Sequence, residues 1–155
     1  MKVREVMTSP VVRIHPGENA AVAARAMDHY NVGILPVCGA DGHVRGLVTD
    51  RDLVTRCMAA GRTAAATQVE EVMTHRICSI HPDADTEEAA RIMGAEQVRR
   101  LPVTENGRLL GMVSLGDLSH LPEAHKALSE IAAGVSRRGE KAPETCSKKN
   151  EEICK

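Results

Sequence analysis

Two short stretches of the chain each place a hydroxyl and a carboxylate three residues apart. They are Thr49 with Asp52 and Ser114 with Asp117. Each hydroxyl lies where an apolar, strand-like run turns into a helix, so we expect it beside free N–H groups that attract phosphate. Each carboxylate lies one turn further on the same face, where it can accept both hydroxyls of a ribose. The alternative, that all four residues only cap helices and supply first-turn acids, stays open at this level.

Histidines and cysteines lack the spacing that metal or redox sites need. His15 and His81 each precede a proline at the end of a strand-like run, and we interpret them as turn residues. The other histidines show no His-Glu-x-x-His pairing, and the chain has no Cys-x-x-Cys pair. Cys38 and Cys78 are expected in the core, and a redox or metal role for Cys146 and Cys154 stays open. We predict no metal site and no catalytic residue, and an enzyme or metal protein built on these side chains is the third hypothesis.

The composition excludes several classes of function. With 155 residues and a net charge of −1, the chain lacks the basic excess that a nucleic-acid binder needs to neutralise phosphates. Tyr30 is its only aromatic residue of the Phe, Tyr and Trp set, so base stacking along a single strand is excluded. No run approaches the roughly 20 apolar residues that span a bilayer, and the start has no apolar signal segment. We therefore predict a cytoplasmic protein with no nucleic-acid and no membrane partner.

The chain repeats itself at a displacement of 66 residues. Between Val3 and Val37, 16 of 35 aligned positions are identical, and after one deleted residue 46–52 matches 111–117. Such a period indicates duplicated structural units that bury a common face. Because neither unit can bury much surface alone, we expect two halves packed through their sheets as an intramolecular pseudo-twofold pair.

Each repeat is predicted to run strand, helix, strand, strand, helix. In the first, the hydrophobic periods predict a strand at 11–14, a helix from Ala20 to Tyr30 capped by Asn19, strands at 34–38 and 44–49, and a helix at 50–58.

The second repeat follows the same order with its own turn and cap signatures. Asp85 with Glu88 has the pattern of a capping box, and Asn106-Gly107 predicts a tight hairpin turn. Pro36 and Pro102 each lie inside a strand-like run, which predicts short or edge strands because proline donates no ladder hydrogen bond.

These patterns also divide the chain. We predict a first domain at 1–60, a small-residue linker at 61–68, a second domain at 69–121, a C-terminal helix at 122–135 and a disordered tail at 136–155.

The ordered motifs resemble those of the CBS domain, named for cystathionine beta-synthase. They are the Val-x-x-Val-Met-Thr opening, the Leu-Pro-Val strand and the Gly-h-h-Thr/Ser-x-x-Asp close, where h is apolar. The resemblance covers Met1 to about Leu121 and implies an α+β fold of two tandem CBS domains. CBS pairs are regulatory sensors rather than catalysts, and their clefts bind AMP, ADP, ATP, sometimes S-adenosylmethionine or cyclic di-AMP. It therefore implies no cofactor other than an adenine nucleotide acting as regulatory ligand.

The resemblance also implies two ligand clefts between the repeats. The first would be lined by Thr8, Val12, Val32, Ile34, Arg100, Ser114 and Asp117. The second, weaker cleft would combine Thr49, Asp52, Thr74, Cys78 and Val98 with the backbone near Arg100.

The copies differ immediately before the Leu-Pro-Val strand, where Arg99-Arg100 replaces Gly33-Ile34. Nucleotide-sensing CBS proteins are similar in placing a basic residue there, which implies that Arg100 binds phosphate, with bidentate geometry available. A solvated arginine on a strand edge is the alternative. We expect the first cleft to be the stronger site, and the second to be empty or served by Arg51 or Arg99.

Two hypotheses follow for the whole chain. The first is a CBS-pair sensor that forms a homodimer through its helices and acts on an unknown effector protein, with the helix at 123–135 and the tail as candidate contact surfaces. The second is a structural or scaffolding dimer with degenerate clefts, which the departure Leu115-Gly116 inside the second motif favours.

Overall fold

The computed structural model describes residues 1–139 and contains two copies of one α+β unit, as the repetition predicts. The elements of the first copy are α1 (Val3–Val6), α2 (Ala20–Tyr30), β1 (Ile34–Cys38), β2 (Val44–Thr49) and α3 (Asp50–Asp52), which continues as a π-helix over Leu53–Met58. A 3-10 turn (Ala64–Ala66) lies in the linker. The elements of the second copy are α4 (Val69–Val72), α5 (Thr86–Glu96), β3 (Arg100–Glu105), β4 (Arg108–Ser114) and α6 (Pro122–Gly139).

Each copy contributes an antiparallel sheet of two strands, β1 with β2 and β3 with β4. Every strand is therefore short and at an edge, as the prolines predict. The strand expected at 11–14 is wrong: Ile14 makes one parallel bridge to Val37, and Ile80 does the same with Val103. Extending the first bridge toward residue 12 would need an N–H at position 36, and Pro36 has none.

The first helix of each copy starts differently. In the first copy α2 has the predicted bounds, and Asn19 Oδ1 accepts a hydrogen bond from Val22 N–H at 2.9 Å. The capping box expected at Asp85 is wrong, because its carboxylate makes no cap and instead pairs with Lys2 Nζ at 2.9 Å. The matching junction in the first copy bridges two amide residues, Asn19 and Gln68.

The two copies exchange their opening helices. Val3 of α1 lies in the core of the second copy, whereas Val69 and Val72 of α4 lie in the core of the first, and all three are fully buried. The exchange is fixed by backbone hydrogen bonds, from Val3 N–H to Ala84 O at 2.9 Å and from Val69 N–H to Glu18 O at 2.8 Å. Each buried valine contributes about 1.5–3 kcal/mol, so neither half has a complete core without the other.

The second copy ends differently from the prediction. Residues 115–120 form turns rather than a helix, because Gly116 weakens helix formation and the residue before Pro122 avoids helical backbone. Helix α6 then begins at Pro122, packs on α5, and continues to Gly139, beyond the predicted end at 135. Of the tail predicted to be disordered, residues 136–139 belong to this helix, and 140–155 lie outside the described residues together with Cys146 and Cys154.

Candidate functional site

Two clefts form where a segment of one copy pairs with the second strand of the other. Thr8 exchanges backbone hydrogen bonds of 2.8 and 3.0 Å with Met112 of β4. Thr74 exchanges bonds of 2.8 and 3.0 Å with Leu47 of β2. The threonine that ends each Val-Met-Thr motif therefore fixes the register between the copies, and each cleft opens beside one of these crossings.

The glycine of each Gly-h-h-Thr/Ser motif makes this close approach possible. A Cβ added at Gly111 would lie 2.7 Å from Thr8 O, and one at Gly46 would lie 2.7 Å from Thr74 O. Both contacts are with backbone, which cannot move aside cheaply. Glycine is required here because the backbone of the other copy passes directly over it.

The first cleft has a volume of about 300 Å³. Its walls include every residue that the sequence placed there: Thr8, Val12, Val32, Ile34, Arg100, Ser114 and Asp117. They also include five that it did not name: Pro10, Val11, Tyr30, Pro36 and Met112. The predicted set is thus brought together around one mainly apolar cavity with one carboxylate and one guanidinium.

Asp117 hydrogen-bonds to Ser114 at the start of the turn and also lines the first cleft. Its Oδ2 accepts hydrogen bonds from Ser114 N–H at 2.7 Å and from the Ser114 hydroxyl at 2.6 Å. No residue of the described range 1–139 hydrogen-bonds the other oxygen, Oδ1. The capping interpretation and the ligand interpretation are therefore compatible, because Oδ2 bonds to Ser114 while Oδ1 has no such bond.

The second cleft is larger, at about 680 Å³, and receives four of its five predicted residues: Thr49, Thr74, Cys78 and Val98. Asp52 is not among the residues that line it. This residue is only 7% exposed, its Oδ2 accepts from Thr49 N–H at 3.0 Å, and its Oδ1 lies 3.8 Å from Arg56 Nε. The two carboxylates of the duplicated motif thus have different surroundings: Asp117 lines a cavity, whereas Asp52 is buried beside Arg56 and Thr74.

Four arginines line the second cleft. Arg51, Arg76 and Arg99 line it, and Arg100 lines both clefts because β3 begins between them.

Within the second cleft, burial raises the pKa of the Cys78 thiol, and the neighbouring charge of Glu96 raises it further. The thiol is therefore held in its neutral form, which suits a wall residue rather than a nucleophile.

The wall residues that the sequence analysis missed occupy corresponding positions in the two copies. The displacement of 66 pairs Pro10 with Arg76 and Tyr30 with Glu96; the first member of each pair lines the first cleft and the second member lines the second cleft. Aligning the copies beyond their shared motifs would have found them, because once one position of a pair lines a cleft the other is expected to do so.

The histidines before proline are turn residues, as predicted. His15 Nδ1 accepts from Gly17 N–H at 3.1 Å, and His81 Nδ1 accepts from Asp83 N–H at 3.2 Å. Within residues 1–139, no group of three His, Cys, Asp or Glu side chains could hold a metal ion. Over the same range, no helix is both long enough and apolar enough to cross a membrane.

Comparisons with known proteins agree with this architecture. The chain is 38% identical over 136 residues to the CBS domain-containing protein YhcV of Bacillus subtilis, covering 88% of this chain and 96% of that one. The structure of Hypoxic Response Protein I with two coordinated zinc ions is similar with a TM-score of 0.72 at 31% identity, covering 78% and 98%. The CBS domain pair of MJ0100 in complex with 5′-methylthioadenosine and S-adenosyl-L-methionine has a TM-score of 0.69, covering 78% and 94%; at 24% identity it shows the fold alone. The CBS domain family model matches residues 3–59 and 69–123, and the chain belongs to this family as a tandem pair.

Proposed function

We propose that this CBS pair is a regulatory module that binds an adenosine-containing ligand of the AMP, ADP or ATP class in its first cleft. The observation that carries the proposal is the Asp117 carboxylate on the wall of a mainly apolar cavity, with no hydrogen bond from residues 1–139 to its Oδ1. A volume of about 300 Å³ lies at the lower end of the usual range for small-molecule sites. The same fold accommodates adenosyl ligands in MJ0100.

Each part of such a ligand has a suitable partner in the first cleft. Val12, Val32 and Ile34 offer apolar surface for adenine. The Asp117 carboxylate can accept the hydroxyls of the ribose, and Arg100 can donate to a phosphate. These contacts would hold a ligand through apolar packing, hydrogen bonds and charge, and the module is proposed to act by binding and not as an enzyme.

A change in ligand occupancy must reach another surface to have an effect. We propose a cytoplasmic homodimer formed through the outer helical face of the first copy, where Met58 is 72% exposed beside Val54 and Leu53. Helix α6 presents Leu128, which is also exposed, to an effector protein. A ligand shifts such contacts only through its different affinities for the two states.

One observation favours the alternative, a scaffold whose clefts hold no ligand. Both Thr49–Asp52 and Ser114–Asp117 form reciprocal hydrogen bonds across the motif, so both have a structural role without any ligand. The two functions differ in what they require of Asp117: a scaffold needs only the hydrogen bonds to its Oδ2, whereas a ligand would also donate to its Oδ1.

Titration calorimetry of the chain with AMP, ADP, ATP, S-adenosylmethionine and cyclic di-AMP tests the proposal. Asp117→Asn should weaken binding by roughly 10-fold or more, since it removes a hydrogen bond to a charged group. The matched control is Asp52→Asn, which should change affinity less because Asp52 does not face the first cleft. Thermal unfolding checks that both variants fold. Binding to none of the five ligands would sink the sensor function, and the reverse order of the two variants would contradict the choice of cleft.

A further inference from the structure

A third concave surface adjoins the two clefts beside helix α6. Its volume is about 370 Å³, and it lies where the turns at 115–120 lead into α6. The corresponding segment of the first copy is helical, so this surface arises from a difference between the copies. We call it the α6 groove; it is lined by Arg99, Arg100, Ser114, Leu115, Gly116, Ser119 and Leu128.

The α6 groove combines positive charge with apolar surface. Within residues 1–139, Arg99 and Arg100 form no ion pair, and no acidic side chain of that range lines the groove. Leu128 of α6 is 45% exposed, although it lines the same groove as the buried Leu115. Complementary charge and burial of apolar surface would both favour an occupant with two adjacent carboxylates next to an aliphatic side chain.

The chain carries this pattern in its own C-terminal segment, residues 140–155, which lies outside the described residues. Glu151 and Glu152 are adjacent, and they are followed directly by Ile153, the one large aliphatic residue of the segment. Four glutamates and four lysines leave the segment without net charge. Its complementarity to the groove therefore depends on the local order at 151–153 and not on overall charge.

The length of the segment allows it to reach the groove. Helix α6 ends at Gly139, and Leu128 lies about 16 Å before that end at a rise of about 1.5 Å per residue. From Gly139 to Glu151 an extended chain spans up to roughly 40 Å. A short tether also supplies a millimolar effective concentration, so a Kd of about 1 mM would leave the groove about half occupied. A separate peptide in solution has no such advantage, which favours the chain's own segment as occupant.

We propose that residues 151–153 bind the α6 groove of the same chain. The two glutamates pair with Arg99 and Arg100, and the isoleucine packs on Leu128. Because both arginines also line the second cleft, the bound segment neutralises charge that the groove shares with that cleft. The proposal goes beyond the proposed function and does not depend on a ligand in either cleft.

Disulfide trapping in the full chain tests the contact, because Cys154 directly follows the docking residues. Ser119→Cys places a thiol on the lining of the groove, and a disulfide requires the two Cα atoms to lie within about 7 Å. Oxidised glutathione should link this thiol to Cys154 several-fold faster than to Cys146 of the same segment, as measured by peptide mapping. The matched control is Ser129→Cys, which is exposed on α6 but does not line the groove and should show no such preference.

Charge reversal tests the ion pairs in the variant with the introduced groove thiol. Glu151→Lys/Glu152→Lys should slow the link to Cys154 several-fold, because it places like charges against the arginines. The control Glu140→Lys/Glu144→Lys makes the same change of net charge elsewhere in the segment and should leave the rate nearly unchanged. Raising the salt from about 50 to 500 mM should also slow the link, since exposed charges are screened.

Two measurements keep the outcomes separable. Thermal unfolding checks that each variant folds, and labelling of Cys154 by a small thiol reagent corrects for its intrinsic reactivity. Equal rates of linkage to Cys154 and Cys146, or an equal loss in both charge-reversed variants, would overturn the proposal. Links between two chains that rise with protein concentration would also overturn it, because the segment would then dock on a second copy. A preferred link within one chain that only Glu151→Lys/Glu152→Lys weakens supports it, whatever the clefts bind.

Discussion

The two copies of the unit are alike inside and different outside. Leu35 and Leu101 hold the same position and are both fully buried. On the outer helices, however, Ala90 of α5 is 2% exposed, whereas its counterpart Ala24 of α2 is exposed. Helix α6 causes the difference, because it packs extensively on α5, whereas the π-helix at Leu53–Met58 contacts α2 less and leaves Ala24 exposed.

The clefts follow the same rule. Some corresponding positions are apolar in both clefts, such as Val32 and Val98. At others, Pro10 and Tyr30 of the first cleft stand where the second has Arg76 and Glu96. Close packing penalises even small changes of volume in a core, whereas a residue on the wall of an open cleft can change more freely. A duplicated protein therefore keeps its scaffold and diverges where a ligand or partner would meet it.

The largest effect is expected at the leucine that occupies the same position in the core of each copy. Leu35→Ala and Leu101→Ala should each lower the free energy of unfolding by about 2–5 kcal/mol through the cavity they leave. Because the two sites are equivalent and equally buried, the two losses should both fall in this range and be similar in size. Urea unfolding measures both. A loss confined to one leucine would show that the copies do not share one cooperative core.

The outer helices should respond in different ways to one substitution. Ala90→Glu places a charge between α5 and α6 and should cost roughly 2–4 kcal/mol of folding stability. Ala24→Glu should leave the fold intact and instead separate the proposed homodimer. Urea unfolding and sedimentation, run on the same samples, give the two readouts. Equal loss of folding stability in both variants would contradict the asymmetry assigned to α6.

The smallest effect concerns the junctions before α2 and α5. Lys2 lowers the pKa of the Asp85 carboxyl below its ordinary value of 3.8 by donating a hydrogen bond to it. A lowered folded-state pKa contributes stability above the ordinary pKa, and this contribution is lost as the pH falls through the folded-state pKa. Asp85→Asn, which copies the neutral Asn19 of the other junction, should therefore flatten the acid limb of a stability–pH curve. Urea unfolding between about pH 7 and pH 2.5 measures it; an unchanged limb would show that the pair has no net effect.

Much of the architecture was predictable because it repeats. The bounds of α2, the hairpin turns and the pairing of the halves follow from local patterns that occur twice, and the family comparison confirms the tandem pair. The missing strand at 11–14 was not predictable from propensity, since it depends on an N–H that Pro36 lacks in a neighbouring strand.

Contacts between distant segments account for the other differences. Asp85 does not cap α5, and its carboxylate instead accepts a hydrogen bond from Lys2 Nζ, which is distant in sequence. The pairing of Asp52 with Arg56 is local, four residues along the chain, whereas the cavity that Asp117 lines is built from segments of both copies. The composition of the first cleft could be inferred from the family resemblance, whereas the charge of the second depended on three arginines from separate segments.

Tyr30 gives the first cleft an optical property that the second does not have. It is the only tyrosine in a chain without tryptophan, and it lies on the wall of the first cleft, with its ring edge-on to His29 at 4.7 Å. Nearly all the ultraviolet fluorescence of the protein therefore comes from one side chain beside one cavity. Its emission should change when the first cleft fills and stay constant when the second does, so occupancy of the first cleft can be followed without a label.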